Sequence, residues 1–203
     1  MERTEEDSYL TLAEPVEALY KEKGSKFLAY AYPVSSEEQI RECLDALRKR
    51  YYDATHHCYA WRLGADGQNY RVNDDGEPSS TAGRPILGQL LSYGVTDVLV
   101  VVVRYFGGTK LGVSGLIAAY KESAAAVLSA AQIVERTVDV RFEVEFGYLV
   151  MNDVMRVVKE MRPEVLEQRF DNLCTMQLSI RAGRADALLE RLQKIEGIQI
   201  ETK

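Results

Sequence analysis

The chain has 203 residues, 46% hydrophobic and 28% charged, with a formal net charge of −6, enough apolar material for a sizeable core in one or two domains. Through Arg136 there are 15 basic and 19 acidic residues, and after it 10 and 12, so neither part has the basic character of a dedicated duplex-binding domain. The longest apolar run, Val98 to Val103, is strand-sized and excludes a helical membrane span.

The first eight residues, Met1 to Ser8, are acidic and carry no apolar stretch of the kind a secretory signal needs. Val16–Tyr20 and Phe27–Tyr32 flank Lys23-Gly24-Ser25-Lys26 and read as a hairpin. Ser35 and Glu38 form a capping box for a helix with Ile40, Leu44 and Leu47 on its buried face. His57, Tyr59 and Trp61 alternate with His56, Cys58, Ala60 and Arg62 in the next strand, which Ala65-Asp66-Gly67 turns into Tyr70–Val72. Asn73 to Gly83 is a loop, and Pro85 opens a short helix to about Tyr93. A buried strand from Val98 then breaks into a glycine-rich loop, Gly107 to Gly115, which feeds an alanine-rich helix, Leu116 to Leu128.

The last third is the most regular. Val138, Val140, Phe142, Val144 and Phe146 alternate with charged residues as a half-buried strand. Val150, Val154, Val157, Val158 and Met161 recur at helical spacing before Pro163. Two strands around an Asp171-Asn172 turn, a helix carrying Leu188 and Leu192, Gly197 and the strand Ile198–Ile200 complete a β-α-β-β-α-β order, the ferredoxin-like pattern. The expected class is therefore α+β in two domains, residues 1–134 and 135–203.

Three cysteines, Cys43, Cys58 and Cys174, are odd in number and widely separated, which fits a reducing compartment, with the cytoplasm as the expected location. His56 and His57 are the only histidines. Being consecutive with Cys58, their side chains alternate across the strand and cannot converge on one ion, and no zinc-ligand spacing exists. Asp74, Asp75 and Glu77 would suit Mg²⁺ beside a phosphate, or equally a solvated turn. No serine or cysteine sits in a nucleophile elbow. No metal, cofactor or catalytic residue is expected. The glycine loop with Lys110 matches neither Walker A nor G-x-G-x-x-G. Its backbone N–H groups and one cation nevertheless form a seat for an anionic oxygen, or a tight crossover whose glycines serve packing.

Three stretches carry a resemblance: Asp53 to Arg62, Asp74-Asp-Gly-Glu77-Pro-Ser-Ser-Thr81-Ala-Gly-Arg84, and Val103-Arg104-Tyr-Phe-Gly-Gly-Thr-Lys110-Leu-Gly-Val-Ser-Gly115. Together they resemble the IMPACT/YigZ family over about Gly24 to Leu128. The last third is similar to the bacterial YigZ-type arrangement, whose final domain is like that of elongation factor G. The resemblance implies a first-domain fold shared with a ribosomal small-subunit protein and with GHMP kinases. It also implies a role around translation without established catalysis. Eukaryotic IMPACT members bind a ribosome-associated co-activator and restrain a starvation-sensing initiation-factor kinase. This sequence shows no RWD module before the motifs and has the extra domain after them, so that pathway is not carried over.

The resemblance and their polarity nominate His56, Arg62, Asp74, Asp75, Gly76, Glu77, Thr81, Gly83, Arg84, Arg104, Gly107, Gly108, Lys110, Gly112 and Gly115 as a binding set on one surface. Arg104, next to an apolar run, needs a counter-charge if buried, with Asp74 or Glu77 the expected partner. The expected function is non-catalytic binding of RNA, the ribosome or a translation factor, with no membrane partner. The alternative is a small-molecule or nucleotide phosphate enzyme using the same loops.

Overall fold

The structure, a computed structural model, describes residues 7–171 and 173–203, which form two compact mixed α/β units, Tyr9–Arg136 and residues 7–8 with Thr137–Lys203. Most of the acidic N-terminal stretch (residues 1–6) and Asn172 of the expected Asp171-Asn172 turn lie outside the described residues.

In the first unit β1 (Ser8–Leu12) pairs with β7 (Ile133–Thr137), two short strands absent from the sequence-based expectation. Five antiparallel strands make the main sheet: β2 (Val16–Glu22), β3 (Ser25–Pro33), β4 (His56–Leu63), β5 (Asn69–Asn73) and β6 (Val98–Tyr105), in the order β2-β3-β6-β4-β5. β6 is central because its run of valines and leucine is apolar on both faces. Val98, Val100 and Val102 pack with Phe27, Ala29, Cys58 and Ala60, whereas Leu99, Val101 and Val103 pack with Tyr30, Tyr59 and Trp61. Helix α1 (Glu37–Arg50) covers the second face with Ile40, Leu44 and Leu47. Helices α2 (Gly83–Ser92) and α3 (Gly112–Ala130) cover the first with Ile86, Leu90, Leu116, Tyr120 and Val127. Strand periodicity decides the fate of Arg104. It continues the Val98-Val100-Val102 series, so it points under α3 and is only 5% exposed.

Two boundaries differ from the sequence-based expectation. The cap of α1 is Ser36, whose hydroxyl accepts from Gln39 N, while Gln39 Oε1 accepts from Ser35 N at 2.8 Å. Ser35–Glu38 and Ser36–Gln39 have the same spacing, and Ser36 is the residue with extended backbone. Helix α3 begins at Gly112, so Gly112 and Gly115 belong to its first turn rather than to the loop. Glycine's poor helix propensity hid that turn, and packing overrides it: a Cβ at Gly115 would sit 3.1 Å from Leu111 Cβ.

The second unit runs β8 (Asp139–Gly147), α4 (Met151–Met161), β9 (Glu164–Phe170), β10 (Leu173–Arg181), α5 (Ala185–Gln193) and β11 (Ile198–Thr202). Its antiparallel sheet has the order β11-β8-β10-β9. Phe142, Val144, Phe146, Met176 and Leu178 face Val154 and Val157 of α4 and Leu188 and Leu192 of α5. Arg162, left-handed at φ 51°, ends α4 just before Pro163. Asp7 belongs to this unit: its carbonyl accepts from Val138 N and its carboxylate from Gly183 N. A division at 134/135 would leave Asp7 and Ser8 with the first unit. No described helix is long and apolar enough to cross a membrane.

The β2–β3 hairpin turns at Lys23 (φ 45°) and Gly24 (φ 81°), and that tip lies directly on Gly107. A Cβ at Gly107 would fall 1.9 Å from Gly24 C and 2.2 Å from Ser25 N, backbone that cannot yield. Gly107→Ala should therefore lower stability by about 2–3 kcal/mol in urea unfolding. A Cβ at Gly88 of α2 would meet nothing within 4 Å, so Gly88→Ala should raise stability by about 0.5–1 kcal/mol. Equal effects at the two glycines would refute this account of the Gly24–Gly107 contact.

Candidate functional site

The acidic loop after β5 is tied down by its own carboxylates. Asp74 Oδ1 accepts from Ala82 N (3.0 Å) and Gly83 N (2.8 Å), and Oδ2 accepts from Ser80 N (2.8 Å). It thus caps α2, whose own N-cap, Ala82, has no side chain to do so. Thr81 Oγ1 donates to Pro78 O within the same loop. Asp75 Oδ2 accepts from His57 N (2.6 Å), continuing the β4 edge past the last β5 partner, Asn73. Asp75 and Gly76 turn the chain with positive φ, 40° and 85°. The turn delivers Asp75 O to His56 Nδ1 at 2.7 Å; a carbonyl only accepts, so Nδ1 carries the proton.

Glu77 is thereby carried into the sheet face under α3. Its Oε1 accepts from Arg104 Nη1 (2.5 Å) and Tyr120 Oη (2.7 Å), with His56 Nε2 at 3.7 Å. Both charged side chains are nearly fully buried, 6% and 4% exposed. Arg104 Nη2 also donates to Ser25 Oγ (3.4 Å), which accepts from Gly107 N (3.2 Å) as well. The guanidinium lies over Phe27 and Phe106, at 5.5 and 5.7 Å from the ring centroids. Cys58 Sγ sits 3.0 Å from Asp74 O and 3.3 Å from Tyr120 Oη, and can give its one proton to either. Burial pushes the Cys58 thiol and the Tyr120 hydroxyl well above their ordinary ranges. Cys58 is a packed thiol, not a thiolate nucleophile.

The structure thus brings His56, Asp74, Asp75, Gly76, Glu77, Thr81, Gly83, Arg104 and Gly107 into one connected cluster. Gly108 and Lys110 are exposed and continue from Gly107 to the first turn of α3 with Gly112 and Gly115, while exposed Arg84 follows Gly83 at the start of α2. Arg62 is not part of it. It pairs with Val98 at the opposite end of β4, six residues or about 20 Å from His56, and donates to Gly67 O and Val95 O. The sequence groups Arg62 with the others because its segment carries the motif, but strand direction separates them. Ser25, Phe27 and Tyr120, which complete the cluster, were missed by the sequence-based expectation. The Lys23-Gly24 turn and the Leu116–Leu128 pattern place those three without signalling any partner.

Arg84 and Lys110 have no ion pair among the described residues. The carboxylates, by contrast, are engaged internally, and no three His, Cys, Asp or Glu side chains converge to hold a metal ion among the described residues.

A family model described as the Impact N-terminal domain matches residues 23–128. The chain is 41% identical over 116 residues to the IMPACT family member YigZ of Escherichia coli, covering 56% of this chain and 57% of that protein. It is 30% identical over 175 residues to an IMPACT family member of Haemophilus influenzae, covering 84% of each. A crystal structure of a hypothetical protein matches with a TM-score of 0.73 at 27% identity, covering 96% of both chains. The chain thus spans little more than half the length of YigZ.

Glu77→Gln keeps the shape but leaves Arg104 buried without its counter-charge, and should cost about 3–5 kcal/mol in denaturant unfolding. Replacing both, Glu77→Leu with Arg104→Met, should recover most of that loss; an undiminished E77Q would mean the pair has no structural weight. A second expectation concerns pH. Burial holds the His57 ring below its ordinary range, so the unfolded chain takes up a proton there before the folded chain does. Stability should fall as pH drops from about 7 towards 5. His57→Gln should make that fall shallower, and an unchanged slope would contradict the assignment.

Proposed function

The chain belongs to the IMPACT family, and from that premise we propose that it is a non-catalytic, translation-associated regulatory protein. It binds RNA, the ribosome or a translation factor through the surface formed by the Gly107–Gly115 segment and the start of α2. The observation that carries this reading is the internal use of the acidic loop. Asp74 caps α2, Asp75 holds β4 and Glu77 neutralises Arg104. Lys110 and Arg84 are exposed beside the glycine backbone. Such a surface supplies donors and cations to phosphate oxygens, while the three loop carboxylates are held in structural hydrogen bonds.

The alternative, phosphotransfer or phosphate hydrolysis, needs a carboxylate free to orient a nucleophile or a metal ion. The engagement of all three argues against it. The β-α-β-β-α-β order with strands ordered β11-β8-β10-β9 supports reading residues 135–203 as a ferredoxin-like domain similar to the last domain of elongation factor G. Residues 1–134 would form the IMPACT-type domain, with its likeness to a ribosomal small-subunit protein and GHMP kinases. The three scattered free thiols support a cytoplasmic location.

Lys110→Ala with Arg84→Ala should weaken association with ribosomes or RNA and flatten its salt dependence by about one contact per residue. Unchanged association in co-sedimentation would move the contact elsewhere. Metal-dependent phosphate release that disappears in a folded Asp75→Asn variant would establish the enzyme reading instead.

A further inference from the structure

On the sheet face covered by α1, a groove runs between that helix and strands β4 and β5. Leu44 of α1 with Tyr59 and Trp61 of β4 form its apolar floor, and Arg41, Arg48 and Arg71 stand along its rim. Arg41, Leu44 and Arg48 share one helix stripe through their spacing of three and four. Arg71 is directly opposite Trp61 in the β4–β5 register, which puts both side chains on the α1 face. All three arginines are exposed. Arg41 and Arg71 have no ion pair among the described residues, although Glu37, also on the rim, precedes Arg41 by one helix turn. Arg48 has Asp45 alone, at 3.8 Å. Three guanidinium groups thus line one small groove in a protein of net charge −6, a local charge that suits an anionic partner.

Two features of the groove select among anions. Its volume is about 200 Å³, below the roughly 300–1,000 Å³ of pockets that enclose a small-molecule ligand. Tyr59 and Trp61 are 7% and 4% exposed, so neither offers a ring face on which a nucleobase could stack. Carboxylate side chains fit both the space and the guanidinium forks. The chain that carries them has a place to pair, because β5 is an edge strand with β4 as its one strand neighbour. Asn69, Tyr70 and Arg71 are exposed along that edge. Tyr70, 56% exposed, lies by strand alternation on the face opposite Arg71. An extended peptide added to this edge sends alternate side chains to the two faces, one set towards the groove arginines and the other beside Tyr70.

We infer that the groove between α1 and the β5 edge docks an extended acidic segment of a protein partner, in which Asp or Glu alternates with apolar residues. The site goes beyond the proposed function and does not rest on it, since none of its residues belongs to the glycine segment or the start of α2.

The test is fluorescence anisotropy of a labelled peptide of alternating glutamate and valine, about eight residues long, titrated into the full chain. Binding should weaken as salt rises. Arg41→Gln/Arg48→Gln/Arg71→Gln should weaken it about tenfold, the sum of three exposed charge pairs, with Tm unchanged. Two further peptides, N-methylated on the glutamates or on the valines, separate strand addition from charge attraction alone. Residues of one parity turn their N–H groups towards β5 and those of the other turn them away, so one methylated peptide should bind and the other should not. Wild-type protein that leaves the alternating peptide unbound, a triple variant that binds it as tightly, or two methylated peptides that bind alike would each overturn the inference. Single-stranded RNA binding that is lost in the triple variant, with the peptide unbound by the wild type, also overturns it and assigns the arginines to nucleic acid. The peptide titration contains no ribosome or RNA, so its failure is distinguishable from failure of the proposed function.

Discussion

Arg104 lies on the α3-covered face of β6, directly after Val98, Val100 and Val102, where strand alternation leaves it no route to solvent. A guanidinium in that position requires a counter-charge and hydrogen-bond acceptors, and the surroundings are arranged to supply them. Glu77 comes from the loop after β5, Ser25 from the β2–β3 hairpin, and Tyr120 from α3 shares the same Glu77 oxygen. Three segments far apart in sequence converge on one ion pair. The positions of the glycine segment, the hairpin tip and the starts of both helices are set relative to that pair.

The consequence for function is a division between inside and outside. The acidic residues of the Asp74–Glu77 loop are spent on a helix start, a strand edge and a guanidinium, with Glu77 nearly fully buried. Lys110 and Arg84 face outward. An acidic chain can then present a local positive surface, which favours recognition of a shaped anionic partner over broad electrostatic capture. Such a surface is weakened by salt, because its cations are solvated.

Elements with strong periodicity were legible in the sequence. The β8–β11 unit, the two hairpins of the first unit and the burial of Ile40, Leu44 and Leu47 all follow from spacing. The need of Arg104 for a carboxylate was legible too, since burial physics demands one. Choosing Glu77 over Asp74 was not, because the choice depends on the positive φ of Asp75 and Gly76. The first turn of α3 was hidden by Gly112 and Gly115, and the cap of α1 by two serines with equal claims. β1 and β7 are short and have little pattern of their own. Arg62 was misplaced because proximity in sequence is not proximity along an extended strand.

The central claim is that the shared motifs build a platform whose outward face, at one end of the main sheet, does the binding. Amide chemical-shift mapping of the ¹⁵N-labelled protein during titration with single-stranded RNA tests it most directly. The account predicts perturbations concentrated at Gly107–Gly115 and Arg84, with the β8–β10 sheet and the Arg62 end of β4 unmoved. Perturbations confined to the second unit or to the Arg62 end would contradict it.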